Sequence, residues 1–281
     1  MNQLFLVATP IGNLEDISAR ALKVLQSVSL IAAEDTRQTL KLLNHYQIKN
    51  RLISLYDHNE QIRIPYILET LQSGDVALVS DGGTPALNDP GYALVNAAIA
   101  AGVQVTPIPG PCAPIAALIA SGLPTNQFLY LGFLPRQKNA RLKFLQEILP
   151  QPYTLIFLEA PHRLISALED MLTVLGDRHI TVARELTKIH EEFFRGSISD
   201  ALLHYQQTIP RGEITLIVEG AAHPTLHWDD EKMNAVIIEN LQHGKTTKQI
   251  IEDLLTKTDL TKKQLYQRIH QLSRNSDPSK E

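Results

Sequence analysis

Short apolar runs, each too brief for a core helix, recur along the first three-quarters of the chain, and helical spacing fills the gaps between them. Residues 4–7, 30–33, 52–55, 76–80 and 103–108 predict strands, while 21–28, 39–46, 62–71 and 92–101 carry apolar positions at helical period. Such alternation predicts a mostly parallel sheet covered on both faces. A proline-rich stretch, Pro107 to Pro111, then marks the end of a first domain. After a helix over 113–121 the pattern resumes, with strands predicted at 128–131, 154–158, 180–183 and 214–218 and helices near 142–148, 164–175 and 199–207. Two α/β domains meeting at a cleft are expected. Past Ala222 the strand signal stops, and Trp228 precedes three helical stretches. Thr246 with Gln249 and Thr261 with Gln264 fit capping boxes, and a helix-turn-helix-like tail is expected, its helices joined near residues 258–260. The expected division is 1–115, 116–222 and 223–281.

Charge and cysteine usage narrow the classes. The net charge of −4 over 281 residues gives no global positive field, so a polyanion would need a local patch. Cys112 is the one cysteine, which excludes a disulfide framework and a cysteine-based zinc site. No apolar stretch suits a membrane span and the first residues do not form a signal peptide, so a cytoplasmic protein with no metal and no membrane partner is expected.

Three strand ends are rich in proline and glycine: Thr9-Pro10-Ile11-Gly12, Ser80-Asp81-Gly82-Gly83-Thr84-Pro85 and Pro109-Gly110-Pro111-Cys112-Ala113. None has the spacing of a dinucleotide or triphosphate loop. In a parallel sheet all three would gather at the carboxyl edge, where ligands bind. Glu34 and Asp35 follow a strand at that same edge. Either suits a proton acceptor, with Arg37 on a phosphate, and both also suit a plain helix start. His58, in the Asp57–Glu60 loop, is the other candidate base or a merely solvated histidine. Arg136, Lys138, Arg141 and Lys143 cluster after one strand, and Arg163 and Lys188 come from others. Arg136 and Arg163, at element ends, fit phosphate contacts; Arg141 and Lys143, taken alone, read as a solvated helix face.

Seven motifs then occur in order: Thr-Pro-Ile-Gly-Asn-Leu, Ala-Glu-Asp-Thr-Arg, Ser-Asp-Gly-Gly-Thr-Pro, Pro-Gly-Pro-Cys-Ala, Gly-Phe-Leu-Pro-Arg, Pro-His-Arg and Ala-Arg-Glu-Leu-Thr-Lys. Over residues 4–220 the chain resembles the ribosomal RNA small-subunit methyltransferase I family, within the tetrapyrrole methylases, and its tail resembles that family's C-terminal helices. The resemblance implies two α/β domains of the tetrapyrrole methylase type with a cleft between them, an all-α tail, S-adenosylmethionine as cofactor and a homodimer. It implies methylation of a cytidine ribose 2′-hydroxyl in small-subunit ribosomal RNA, with the RNA or the small ribosomal subunit as partner. Carried over, cofactor positions fall at Pro10, Asp81, Gly82, Gly83, Thr84, Leu87, Cys112 and Ala113. Glu34, Asp35 and His58 are the catalytic candidates, and Arg37, Arg136, Lys138, Arg163 and Lys188 the RNA-binding ones. Gly82 stands where the family commonly has alanine, Gln137 where it has lysine and Ala160 where it has serine. The rival readings are a tetrapyrrole or corrin methylase of the same fold and a non-enzymatic nucleic-acid-binding regulator. Basic residues in the tail and after residue 135 favour RNA.

Overall fold

The first five apolar runs form one all-parallel sheet in the computed structural model, which describes residues 2–208, 210–221, 230–255, 258 and 260–275. Its strands are β1 (Gln3–Val7), β2 (Leu30–Ala33), β3 (Leu52–Ser54), β4 (Val76–Val79) and β5 (Gln104–Ile108), in the order β3-β2-β4-β1-β5. Every residue of β2 and β4 is buried, as expected for strands covered on both faces. Alternation along each strand supplies the two cores. Ile31 and Ala33 pack with Leu25 of α1 (Ala19–Ser27), whereas Leu30 and Ala32 pack with Ile67 of α3 (Glu60–Ser73) and Leu94 of α4 (Tyr92–Ala100). Between these lies α2 (Thr36–His45), which starts before the apolar spacing begins because the Asp35 side chain caps it.

Following α5 (Ala113–Ser121), the chain builds β6 (Phe128–Phe133), α6 (Lys138–Ile148), β7 (Thr154–Glu159), α7 (Leu164–Leu175), β8 (His179–Arg184), β9 (Glu192–Ser197), α8 (Ile198–Gln207) and β10 (Ile214–Val218). The second sheet runs β6-β7-β10-β8-β9; β6 and β7 are parallel and the remaining pairs antiparallel. Alternation of strand and helix does not foretell this. Residues 185–191 are too few for a crossover, so β8 must turn straight back into β9. β9 itself was outside the sequence expectation, since Glu192-Phe193-Phe194-Arg195 does not alternate. Phe157, Leu168 and Tyr205 anchor the core on one face of this sheet, and Ala117 and Leu118 of α5 cover Ile156 and Ile217 on the other.

The chain divides into two compact units, residues 1–220 and 221–281. We propose the boundary at residue 115 as a subdivision of the first unit, because each sheet has its own buried clusters. In the second unit, α9 (Asp230–Gln242), α10 (Thr247–Leu255) and α11 (Lys262–Asn275) bury Met233, Ile237, Ile250, Leu254, Leu265 and Ile269 together. Both capping boxes form: Gln249 Oε1 accepts the Thr246 amide at 2.9 Å and Gln264 Oε1 the Thr261 amide at 2.8 Å. Trp228, Ala222 and Asp259 lie outside the described residues.

Candidate active site

The three Pro/Gly turns do converge. Thr9 and Gly83 exchange both backbone hydrogen bonds at 2.9 Å, and Thr84 Oγ1 donates to the Pro111 carbonyl at 3.1 Å. Gly83 has φ +90°, a conformation side chains rarely adopt, and a Cβ there would meet Ile11 at 3.3 Å. These turns form one wall of a cavity of about 690 Å³, within the range of small-molecule sites. Every position assigned to the cofactor, from Pro10 through the 81–84 turn and Leu87 to Cys112 and Ala113, lines it. The opposite wall comes from the second sheet: Tyr130 on β6, the end of β7 and the start of β10. Beside the cavity, loops from the two sheets also touch directly: the Asn13 amide donates to Thr187 Oγ1 at 3.0 Å. Gly132, at φ +64°, leaves room for the Asn88 side chain, which a Cβ would approach to 2.6 Å.

The ionisable lining is acidic, and no lysine or arginine contributes to it among the described residues. Glu34 Oε2 accepts the Asp81 amide at 3.2 Å, and Asp81 Oδ1 accepts the Asp35 amide at 2.9 Å. Burial raises the Glu34 carboxyl, and the nearby Asp81, Asp57 and Asp35 charges push the same way. Asp81 is raised by burial too, and Asp89 is pushed up to about 6 by burial and the Glu34 charge. The Tyr130 hydroxyl is buried with no hydrogen-bond partner among the described residues, and its pKa is pushed up to about 12, again by burial. Asp89 and Tyr130 also line this cavity, and sequence reasoning missed both. Asp89 reads as part of an Asn-Asp-Pro-Gly turn, yet Ala86 at φ 63° and Asn88 at φ 62° hold that turn in an uncommon conformation.

The remaining candidates separate. Asp35 is committed to Arg37: its carboxylate accepts the Arg37 amide at 2.8 Å and pairs with the guanidinium, whose hydrogen bond holds its pKa down. His58 is exposed, beside Tyr56, and lines neither described cavity. Arg37, Arg136 and Lys138 are exposed. Arg163 turns inward: Nη2 donates to the Leu134 carbonyl at 2.6 Å, and Nε lies 3.2 Å from Glu159 in a charge contact not aligned as a hydrogen bond. Lys188 packs over Gly12 and pairs with Glu185 at 2.8 Å. Both are held by internal contacts rather than offered to solvent. Arg141, a candidate for a solvated face, is buried against Asp170 at 2.6 Å.

Residues 3–202 match the family Tetrapyrrole (Corrin/Porphyrin) Methylases. A "Ribosomal RNA small subunit methyltransferase I" of Halalkalibacterium halodurans is 46% identical over 273 residues, covering 95% of this chain and 94% of its own. The chain belongs to the ribosomal RNA small subunit methyltransferase I family. Another family member, from Escherichia coli, is 52% identical over 222 residues, 78% of each chain. A Thermotoga maritima member is 48% identical over 221 residues, which are 99% of its length but 78% of this chain. That member is therefore about as long as the first unit alone. Among solved structures, a cobalt precorrin-4 methyltransferase matches with TM-score 0.58 at 15% identity, covering 77% of this chain and 94% of that one; it shares the fold. The family makes this chain a methyltransferase that modifies ribosomal RNA. Among the described residues, no helix is long and apolar enough to cross a membrane, and no cluster of three or more His, Cys, Asp or Glu is placed to hold a metal.

Proposed function

We propose that the protein transfers a methyl group from S-adenosylmethionine to the ribose 2′-hydroxyl of a cytidine in small-subunit ribosomal RNA, as a cytoplasmic homodimer. The observation that carries this reading is the lining of the large cavity: backbone turns, apolar side chains and half-buried carboxylates, with no lysine or arginine among the described residues. Such a wall repels a phosphate-bearing cofactor and suits a cationic one. When bound, S-adenosylmethionine supplies an already activated methyl on a positive sulfonium. The chain's own task is then alignment and proton handling. Holding the reactants in line is worth up to about 7–11 kcal/mol. Glu34, half-buried and raised, takes the proton from the 2′-oxygen as the O–C bond forms and the C–S bond breaks. With Glu34 keeping the proton, transfer from a sulfonium would leave a neutral thioether and a methyl ether, so charge balances.

Arg37, Arg136 and Lys138 remain as exposed cations for RNA phosphates on the first unit. On the tail, Lys262, Lys263, Tyr266, Gln267 and His270 share the exposed side of α11, with no acid among them. A second copy of the chain would cover apolar residues that water now meets: Tyr92 and Ile99 on α4 are 75% and 59% exposed, and Ile119 on α5 is 72% exposed. The decisive test is nucleoside mass spectrometry on ribosomal RNA from cells with and without the protein, paired with calorimetry of S-adenosylmethionine binding. A 2′-O-methylcytidine that appears only with the protein is expected. No difference between the two RNAs, or no cofactor binding at millimolar concentration, overturns the reading.

A further inference from the structure

A second cavity, of about 240 Å³, adjoins the large one. Pro10, Leu14, Gln38 and Asp81 line both and form a common wall. We propose that this smaller cavity, between α2 and the ends of β1 and β4, receives the nucleoside whose ribose is methylated. The assignment rests on the large cavity being the cofactor site.

Size argues first. The volume falls below the roughly 300–1,000 Å³ of sites that enclose drug-sized ligands, so it suits one nucleoside and excludes a macrocycle. Chemistry argues second. Hydroxyl and amide residues (Thr9, Thr39, Ser80 and Gln38) line it, and Lys41 is the one cation on either cavity among the described residues. Lys41 Nζ donates to Gln38 Oε1 at 3.0 Å, which uses the amide oxygen and leaves its N–H groups to donate. A pyrimidine offers acceptors at O2 and N3 to such a donor. Lys41 itself is exposed at the rim, suiting the nucleotide's phosphate, and Arg37 lies one turn before it, 87% exposed.

Position argues third. The reacting atoms must come within roughly 3–3.5 Å, so donor and acceptor have to occupy neighbouring spaces with a shared boundary. These two cavities provide that boundary, and Asp81 stands on it. A ribose inside structured RNA reaches such a depth only if its nucleotide leaves the stack, as enzymes that modify bases require.

The test uses the full-length protein, labelled S-adenosylmethionine and small ribosomal subunits from cells lacking the protein. Lys41→Trp fills the cavity from an exposed position. It is expected to raise KM for the subunit at least about tenfold, or to stop turnover, with cofactor affinity within about twofold of wild type. Lys41→Ala is expected to raise KM more mildly and to reduce the salt slope of subunit binding by about 1. Wild-type KM and kcat in Lys41→Trp, with cofactor bound normally, overturn the assignment. Should Lys41→Trp lose the cofactor, Lys41→Ala decides: an unchanged KM and salt slope overturn it. A wild-type protein that forms no ribose-methylated nucleoside instead removes the cofactor and substrate reading itself, before any variant is compared.

Discussion

Glu34 and Asp81 sit one residue past β2 and two past β4, and the Glu34 carboxylate accepts the Asp81 amide at 3.2 Å. The bond ties together two strand ends at the large cavity, and Asp81 borders the smaller one as well. It also leaves Glu34 a second oxygen for a substrate proton.

Glu34→Gln should therefore keep this bond through its amide oxygen and lose only the proton-accepting role. The single-turnover methylation rate is expected to fall about 10²-fold, with cofactor and RNA affinities held. Asp35→Asn, which touches Arg37 rather than the cavity, should stay within a few-fold of wild type. The reverse ranking would transfer the proton to Asp35, and a loss confined to His58→Ala would transfer it to the 57–60 loop.

Asp89 predicts a pH dependence. Its pKa is pushed up to about 6 by burial, above the ordinary 3.8, so ionisation costs stability as pH rises through that window and is complete only above it. Under the proposed function a cationic sulfonium in the cavity that Asp89 lines favours the ionised form, whereas a neutral thioether product does not. S-adenosylmethionine affinity should fall as pH drops below about 6 while S-adenosylhomocysteine affinity changes less. Asp89→Asn should abolish that difference and weaken S-adenosylmethionine at pH 8 by about tenfold. Calorimetry of both ligands across pH 5–8 checks it.

Gly83→Val places a branched side chain at φ +90° in a residue that trades two hydrogen bonds with Thr9. Loss of cofactor binding is expected, together with a stability loss of about 1–3 kcal/mol from the strained backbone. Chemical denaturation and calorimetry on the same sample separate the two effects.

Arg141 and Asp170 form a buried pair, each side chain 5% exposed. Arg141→Met leaves Asp170 without its main partner and should cost about 3–5 kcal/mol in urea unfolding. Arg141 Nη1 also donates to the Pro135 and Arg136 carbonyls at 3.4 and 3.3 Å. Adding Asp170→Leu should restore most of the stability but not the turn that presents Arg136, so RNA affinity should stay low.

Deleting residues 222–281 should leave cofactor affinity unchanged, since among the described residues the large cavity is lined by the first unit alone and the Thermotoga maritima relative, matched over 99% of its own length, aligns with 221 residues, about as many as that unit holds. Subunit binding is expected to weaken and to lose salt dependence as the α11 cations go. Full subunit affinity in the truncated protein would assign the tail another task.

Much of this protein is legible along the chain because its determinants are local. Apolar runs a few residues long make strands wherever they fall, and Thr246 and Thr261 cap their helices through partners three residues away. The Pro/Gly turns that build one wall of the large cavity follow their strands directly, so a parallel sheet alone brings them to one edge. The family motifs extend this to the cavity positions from Pro10 to Ala113.

What the chain could not disclose depends on distant partners. Arg163 and Lys188 look like Arg37 in sequence, yet Glu159 and Glu185 hold them inward while Arg37 projects into solvent. Asp35 and Glu34 are adjacent carboxylates, but only the tertiary contacts decided their chemistry: Glu34 is half-buried beside Asp81, while Asp35 pairs with Arg37. Asp89 and Tyr130 entered the site because two sheets, far apart in sequence, closed around them. Local pattern determines which elements form; desolvation and charge pairing, which set a side chain's chemistry, exist only once the sheets have met.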